Sequence, residues 1–142
     1  MSLLRNRWFI WAFCLVVAAG LGVDAYVHLH DASSYSMVKT SFISQATLFR
    51  IEGIAAIVAA VLLLVRPHWL TALLALLVSG GGVAAVLLYT ETDPGKIGPL
   101  PDMYEPVWFT DKTNSLIGEA VAAGVALLVL AMLLVRRRAV TA

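Results

Sequence analysis

Residues 70–89 read LTALLALLVSGGGVAAVLLY, a run that contains no charged side chain. As an α-helix this run would rise about 30 Å, which is the thickness of the hydrocarbon layer of a membrane. Three further apolar runs flank it, and the four together predict helices over about residues 8–29, 45–65, 70–89 and 113–135. We therefore expect an all-α integral membrane four-helix bundle that forms a single transmembrane domain, residues 1–142.

The composition favours the same fold class. Hydrophobic residues make up 61% of the 142 residues and charged residues only 13%. A water-soluble domain of this size would lack the polar residues needed to cover its surface. The single cysteine, Cys14, lies inside the first apolar run, so a disulfide within the chain and a redox centre made of two cysteines are both excluded.

Charged residues outside the apolar runs are sorted by sign. Arg5, Arg7, Arg66 and the run 136–138 fall on one side of the predicted membrane, and all nine acids belong to the other side. Short arginine-rich segments remain in the cytoplasm, so we expect a multi-pass plasma-membrane protein with cytoplasmic N- and C-termini. Its expected partners are the lipid bilayer and either another membrane protein or further copies of itself, whereas nucleic acid is not expected.

The longest segment between predicted helices, residues 90–112, would lie outside the cell and holds four of the five prolines. Proline fixes φ, so this long Pro-rich extracytoplasmic loop should be stiff. Asp111, near its end, is expected to be the N-cap of the fourth helix. Four apolar side chains of the loop are predicted to cover the bundle or to dock a partner: Met103, Tyr104, Trp108 and Phe109.

Three acids lie within the apolar runs or at their ends: Asp24, Glu52 and Glu119. At 1.5 Å per residue they lie about 24, 20 and 24 Å from the cytoplasmic ends of their helices. In a layer about 30 Å thick, all three therefore lie roughly 6 to 10 Å below the outer boundary. A charge at the bilayer centre costs about 2.5 to 3.5 kcal/mol, and protons, a bound cation or a water-filled vestibule could each relieve that cost.

The helical spacing predicts that these acids face the interior of the bundle. Glu52 and Glu119 are each followed by three alanines within two turns on the same face, whereas Arg50 shares its face with bulky aliphatic residues. Small residues let helices approach each other, and bulky ones suit lipid. The sequence thus predicts one outward-facing ligand or proton site made of Asp24, Glu52 and Glu119.

Two histidines near Asp24 raise the question of a metal. Asp24 and His28 are four residues apart and share a helix face, and carboxylate with imidazole suits zinc, iron, manganese or copper(II). At this spacing an aspartate and a histidine more often form a local hydrogen bond than a metal site. The candidate metal ligands are Asp24, His28, His30, Glu52 and Glu119.

Three segments carry a family resemblance: GLGVDAYVHL (20–29), TLFRIEG (47–53) and MYEPVWFTDK (103–112). With these features in this order, the chain resembles small four-helix membrane proteins of actinobacteria that have no assigned role. In size and topology it is also similar to the DoxX-like group, some of whose members are linked to quinone-dependent redox chemistry. The resemblance implies a quinone as the alternative to a divalent metal, but no catalytic residue is carried over, because no DoxX functional motif is matched.

Together these observations predict a binding or accessory protein rather than a stand-alone enzyme, with its acidic site near the outer membrane surface. The first alternative is a metal-, proton- or quinone-linked redox module of DoxX-like type. The second is a small oligomeric transporter. Against transport, the predicted cytoplasmic half of the bundle holds no charge that could complete a path across the membrane.

Overall fold

A computed structural model describes residues 7–141, with side chains described as far as residue 139. It contains four long helices: α1 (Arg7–Asp31), α2 (Gln45–Val65), α3 (Trp69–Glu91) and α4 (Thr110–Thr141). This described part holds no β-strand, and each of the four helices is long and apolar enough to cross a membrane. The all-α prediction with four candidate membrane spans is thereby confirmed. Arg5 lies outside the described residues.

The helix bounds follow the apolar runs, with differences at the ends. α2 begins and ends at the predicted residues, whereas α4 begins three residues earlier than expected and continues to Thr141. Asp111 therefore lies in the first turn of α4 and is not its N-cap. A carboxylate in the first turn also stabilises a helix, by interacting with the positive end of the helix dipole. At its other end α4 continues through the arginines 136–138, because arginine has a high helix propensity. Residues 136–141 contain no proline or glycine that would end the helix.

The short connection between α2 and α3 makes these helices antiparallel neighbours. α2 ends at Val65, because Pro67 cannot continue a helix and also disfavours helical backbone at Arg66 before it. His68 then caps α3: its ring Nδ1 accepts from the backbone N–H of Leu70, and its backbone N–H donates to the Thr71 hydroxyl. Arg66 and the arginines 136–138 lie at this end of the bundle, which we call the arginine end. The opposite end, where α1 and α3 finish, is the acidic end.

The acidic end is organised by a close crossing of α1 and α4. A Cβ atom added at Gly20 would lie 2.5 Å from the carbonyl oxygen of Gly118, and one added at Gly118 would lie 2.7 Å from the carbonyl oxygen of Gly20. Only glycine allows two helices to approach this closely. Gly20 lies one turn before Asp24 and Gly118 directly precedes Glu119, so the crossing brings these two acids to the same place.

The remaining contacts leave one side of the bundle more open. α1 packs against α2 and α4, and α3 packs against α4, whereas α2 and α3 make the smallest contact of the neighbouring pairs. Towards the arginine end the helices enclose an apolar core. Its fully buried members are Cys14, Val17, Leu21, Ala56, Ala59, Leu63, Ala72, Ala75, Ala122, Ala126 and Val129.

Candidate functional site

Asp24 is fully buried and connects α1 to α4. Its Oδ1 accepts a hydrogen bond from the Ser115 hydroxyl at 2.9 Å. The same oxygen lies 2.7 Å from Nδ1 of His28, one turn later in α1, where the side chain is 11% exposed. The His28 ring meets Phe49 of α2 edge-on, with 4.8 Å between ring centroids. Asp24 is thus oriented by two neighbours that use one of its oxygens.

Glu119 is the other fully buried acid, and it lacks partners. Neither of its carboxylate oxygens has a hydrogen-bond partner among the described residues, and the same is true of Oδ2 of Asp24. The Glu119 carboxylate lies directly against Gly82 of α3, and a Cβ atom at that position would overlap with it. Most buried polar atoms in proteins are hydrogen-bonded. These three oxygens without partners are therefore candidates for binding a ligand such as a cation.

Asp24, His28 and Glu119 form one compact group, which we call the acidic cluster. One ligand atom from each of the three lies within 4.8 Å of the other two. Metal–ligand bonds of about 2.0 to 2.6 Å place atoms around a single ion at such separations. Ser115 would serve as the outer partner that orients a ligating carboxylate. The arrangement can therefore hold a cation between α1 and α4, beside α3.

Glu52 lies beside the acidic cluster rather than within it. Its Oε1 is buried and has no partner among the described side chains and backbone, and the residue lines a cavity together with His28 and Ser115. It is also within electrostatic range of Asp24. The acidic residues predicted from the sequence thus cluster, but only Asp24 and Glu119 join His28 in the compact group, and Glu52 lines the adjoining cavity.

His30 lies apart from the acidic cluster. It is exposed and stacks on Tyr26 at 5.5 Å, and it forms a second, more exposed group with Asp31 and Asp111. Helical geometry explains the separation, because a residue six positions after Asp24 is rotated about 240° around the helix, whereas His28 is rotated about 40°. Of the predicted metal ligands, the structure therefore brings three together and leaves Glu52 and His30 outside.

A cavity of about 330 Å³ lies between α2 and α3 at the acidic end. Its walls are mostly apolar, and Gly81 and Gly82 leave room for it on the α3 side. The polar side chains in its lining include His28, Glu52, Tyr89, Lys112 and Ser115. The cavity and the acidic cluster therefore share the wall formed by His28 and Ser115.

The segment between α3 and α4, residues 92–109, covers the acidic end of this cavity. Its Met103 and Phe109 line the cavity, whereas Tyr104 and Trp108 are 42% and 43% exposed. The segment is fixed in place, since the Glu105 N–H donates to the Tyr89 carbonyl at 2.9 Å. The predicted four-residue docking surface is thus divided between the cavity and the outside, and docking of a partner stays a prediction.

Lys112 is a site residue that the sequence analysis did not single out. Its ammonium donates to the backbone carbonyls of Glu105 and Val107 and lies over the ring of Trp108, 5.4 Å from the centroid. It therefore anchors the covering segment to the start of α4. The available signal was its position, a lone lysine at the junction of an aromatic segment and an apolar run.

Comparisons with protein-family models, curated proteins and solved structures found no match to this chain. The DoxX-like resemblance accordingly stays a prediction. What the site does has to follow from its own residues.

Proposed function

We propose that the protein is a plasma-membrane binding protein that holds a divalent cation in the acidic cluster, near the outer surface of the membrane. The observation that supports this most is Glu119, fully buried with both carboxylate oxygens unpartnered and beside a second carboxylate and an imidazole. Carboxylate oxygens with one imidazole suit zinc, manganese, iron or copper(II). Glu52, beside the cluster, would add a further negative charge.

A divalent cation accounts for the cluster better than a shared proton does. Three carboxylate oxygens of Asp24 and Glu119 lack partners within the described structure, and one shared proton would engage only two of them. An ion bound between the two acids and the His28 ring would contact both carboxylates and balance both charges. Buried carboxylates that remain unpaired are costly, so the cluster fits a bound ion better than a purely structural role.

The apolar core argues for binding rather than transport. Between the acidic cluster and the arginine end, the helices enclose Val17, Leu21, Ala126 and Val129, all fully buried. An ion crossing this layer would lose its ligands and its water together, at a high cost in free energy. We therefore propose access from the acidic end, with the protein acting as a binding or accessory component rather than as a stand-alone enzyme.

Metal binding can be measured directly on purified protein. After chelation and dialysis against Zn²⁺ or Mn²⁺, we expect one ion per chain, and His28→Ala should weaken binding by at least about tenfold because it removes a ligand. His30→Ala is the matched control, since this histidine lies on the same helix outside the acidic cluster. Equal affinities for the two variants, or wild-type protein without a bound ion, would refute the proposal.

The orientation of the protein can be tested by labelling introduced cysteines. The positive-inside rule places the arginine end in the cytoplasm, so a membrane-impermeant maleimide added to intact cells should label Asp93→Cys and should label Ala139→Cys only after permeabilisation. Both positions are exposed, and the natural Cys14 is fully buried, so wild-type protein serves as the unlabelled control. The reverse labelling pattern would place the acidic cluster near the cytoplasmic face.

A further inference from the structure

The cavity between α2 and α3 has the features of a second binding site, which adjoins the acidic cluster at His28. Its volume of about 330 Å³ is at the lower end of the range for small-molecule sites, about 300 to 1,000 Å³. Much of its wall is aliphatic or aromatic, with Leu48, Ile51, Val86, Leu100 and Met103 among the lining residues. A short hydrocarbon chain would therefore be well solvated in it.

Two unpartnered polar atoms belong to residues that line this cavity. Tyr89 is 9% exposed, and its hydroxyl has no hydrogen-bond partner among the described residues. Oε1 of Glu52 is also buried and has no hydrogen-bond partner among the described residues. A carboxylate oxygen accepts hydrogen bonds, and a phenol hydroxyl can accept as well as donate. A ligand that donates N–H hydrogen bonds could satisfy the Glu52 oxygen, and a polar group of a ligand could satisfy the Tyr89 hydroxyl.

The charge of the cavity lining also favours a cationic ligand. Asp31, Glu52 and Glu105 line it, against one lysine, Lys112. The Lys112 ammonium is already directed at the backbone carbonyls of Glu105 and Val107. Aromatic rings complete the wall: Phe49 packs against His28, and Phe109 lies beneath the Lys112 ammonium, 5.6 Å from the ring centroid.

Access to the cavity is open on the side of the bundle. Ile51 and Gly81, which line the cavity, are exposed on α2 and α3, and Ile51 is 54% exposed. α2 and α3 also make the weakest contact between neighbouring helices. At its acidic end the cavity, by contrast, is covered by the segment that includes Met103 and Phe109. A ligand dissolved in the membrane would thus reach the cavity from between these two helices.

From these observations we propose that the cavity binds a membrane-soluble alkylamine in its protonated form, with its ammonium group at Glu52 and its chain against the apolar wall. This proposal goes beyond the divalent cation site and does not depend on it. A quinone fits less well: its carbonyl oxygens could accept from the Tyr89 hydroxyl, but it carries no donor for the Glu52 carboxylate and would leave that group unpartnered.

The test compares three probes that share one alkyl chain: octylammonium, octanol and octanoate. Radiolabelled probe is bound to the full chain in nanodiscs of zwitterionic lipid, with chelator present and with empty nanodiscs as the blank. We expect saturable binding of octylammonium, with octanol at least about tenfold weaker and octanoate weaker still, because tenfold corresponds to the loss of one good polar contact. Equal binding of octylammonium and octanol, or tighter binding of a short-chain quinone, would overturn the proposal.

Variants locate the binding within the cavity. Gly81→Leu should reduce octylammonium affinity at least about tenfold by filling the cavity, and Glu52→Gln should do the same by removing the charge without changing the shape. Gly80→Leu is the matched control, because a Cβ atom at Gly80 or at Gly81 meets no atom within 4 Å, and only Gly81 lines the cavity. If Gly81→Leu and Glu52→Gln both bind octylammonium with wild-type affinity, the proposed site is refuted. With zinc absent throughout, failure of the divalent cation site would leave these results unchanged.

Discussion

Replacing Glu119 with glutamine is expected to stabilise the metal-free protein and to abolish tight cation binding in the same variant. Glutamine keeps the shape of the side chain but removes a carboxyl group whose charged form would be fully buried and unpartnered. Because such a charge costs about 2.5 to 3.5 kcal/mol at the centre of a bilayer, we expect the free energy of unfolding to rise by about 1 to 3 kcal/mol. Zinc affinity should fall at least about 100-fold with the loss of a ligand.

The measurement is thermal unfolding in detergent, once with chelator and once with saturating zinc. Wild-type protein should gain stability from zinc, since a ligand that binds only the folded state shifts the unfolding equilibrium. In chelator, Glu119→Gln should unfold at a higher temperature than wild-type protein, and zinc should not raise that temperature further. Glu91→Gln is the control, because Glu91 is exposed at the same end of the bundle. A destabilised Glu119→Gln variant that still responds to zinc would show that Glu119 has a structural role.

The second large effect is expected from a single methyl group at Gly82. A Cβ atom there would overlap with the Glu119 carboxylate, so Gly82→Ala has to push this carboxylate away from its present position beside Asp24. We expect zinc affinity to fall by about 10- to 100-fold, the range typical for disturbing the support of a metal ligand. The measurement is equilibrium dialysis with zinc, as for the histidine variants.

Gly81→Ala is the matched control for this effect. It adds the same methyl group one residue earlier in α3, where a Cβ atom meets nothing within 4 Å. Both substitutions should favour the helix by about 0.5 to 1 kcal/mol, so the difference in zinc affinity reports the contact with Glu119 alone. Equal zinc affinity in Gly82→Ala and Gly81→Ala would mean that the position of this carboxylate does not matter for binding.

The predictable part of this protein follows from two regularities of helices in membranes. Apolar runs of about 20 residues identified the four helices, because the thickness of the hydrocarbon layer sets that length. The constant rise per residue then placed Asp24 and Glu119 at the same depth. Depth alone does not make two residues neighbours. Their contact depends on the crossing at Gly20 and Gly118, and no charge or hydropathy pattern specifies which helices pair.

The remaining details depend on rotation around the helix axes and on the chain between helices. Glu52 has the right depth and shares the buried face of α2 with Ala56 and Ala59. It lies beside the cluster because α2 packs against α1 and α3, whereas Glu119 is held on α4. The covering segment was predicted to be stiff, but which of its side chains point inward depends on the hydrogen bonds that fix it, such as the one from Glu105 to Tyr89. These bonds join residues far apart in sequence, so local patterns do not reveal them.

The central claim is that Asp24, His28 and Glu119 bind one divalent cation. The most direct measurement is an anomalous difference map from crystals of zinc-loaded protein, recorded at the zinc absorption edge. One peak should lie between these three side chains, about 2.0 to 2.2 Å from the carboxylate oxygens and the histidine nitrogen. A map without a peak there, or with zinc only at His30, Asp31 and Asp111, would contradict the claim.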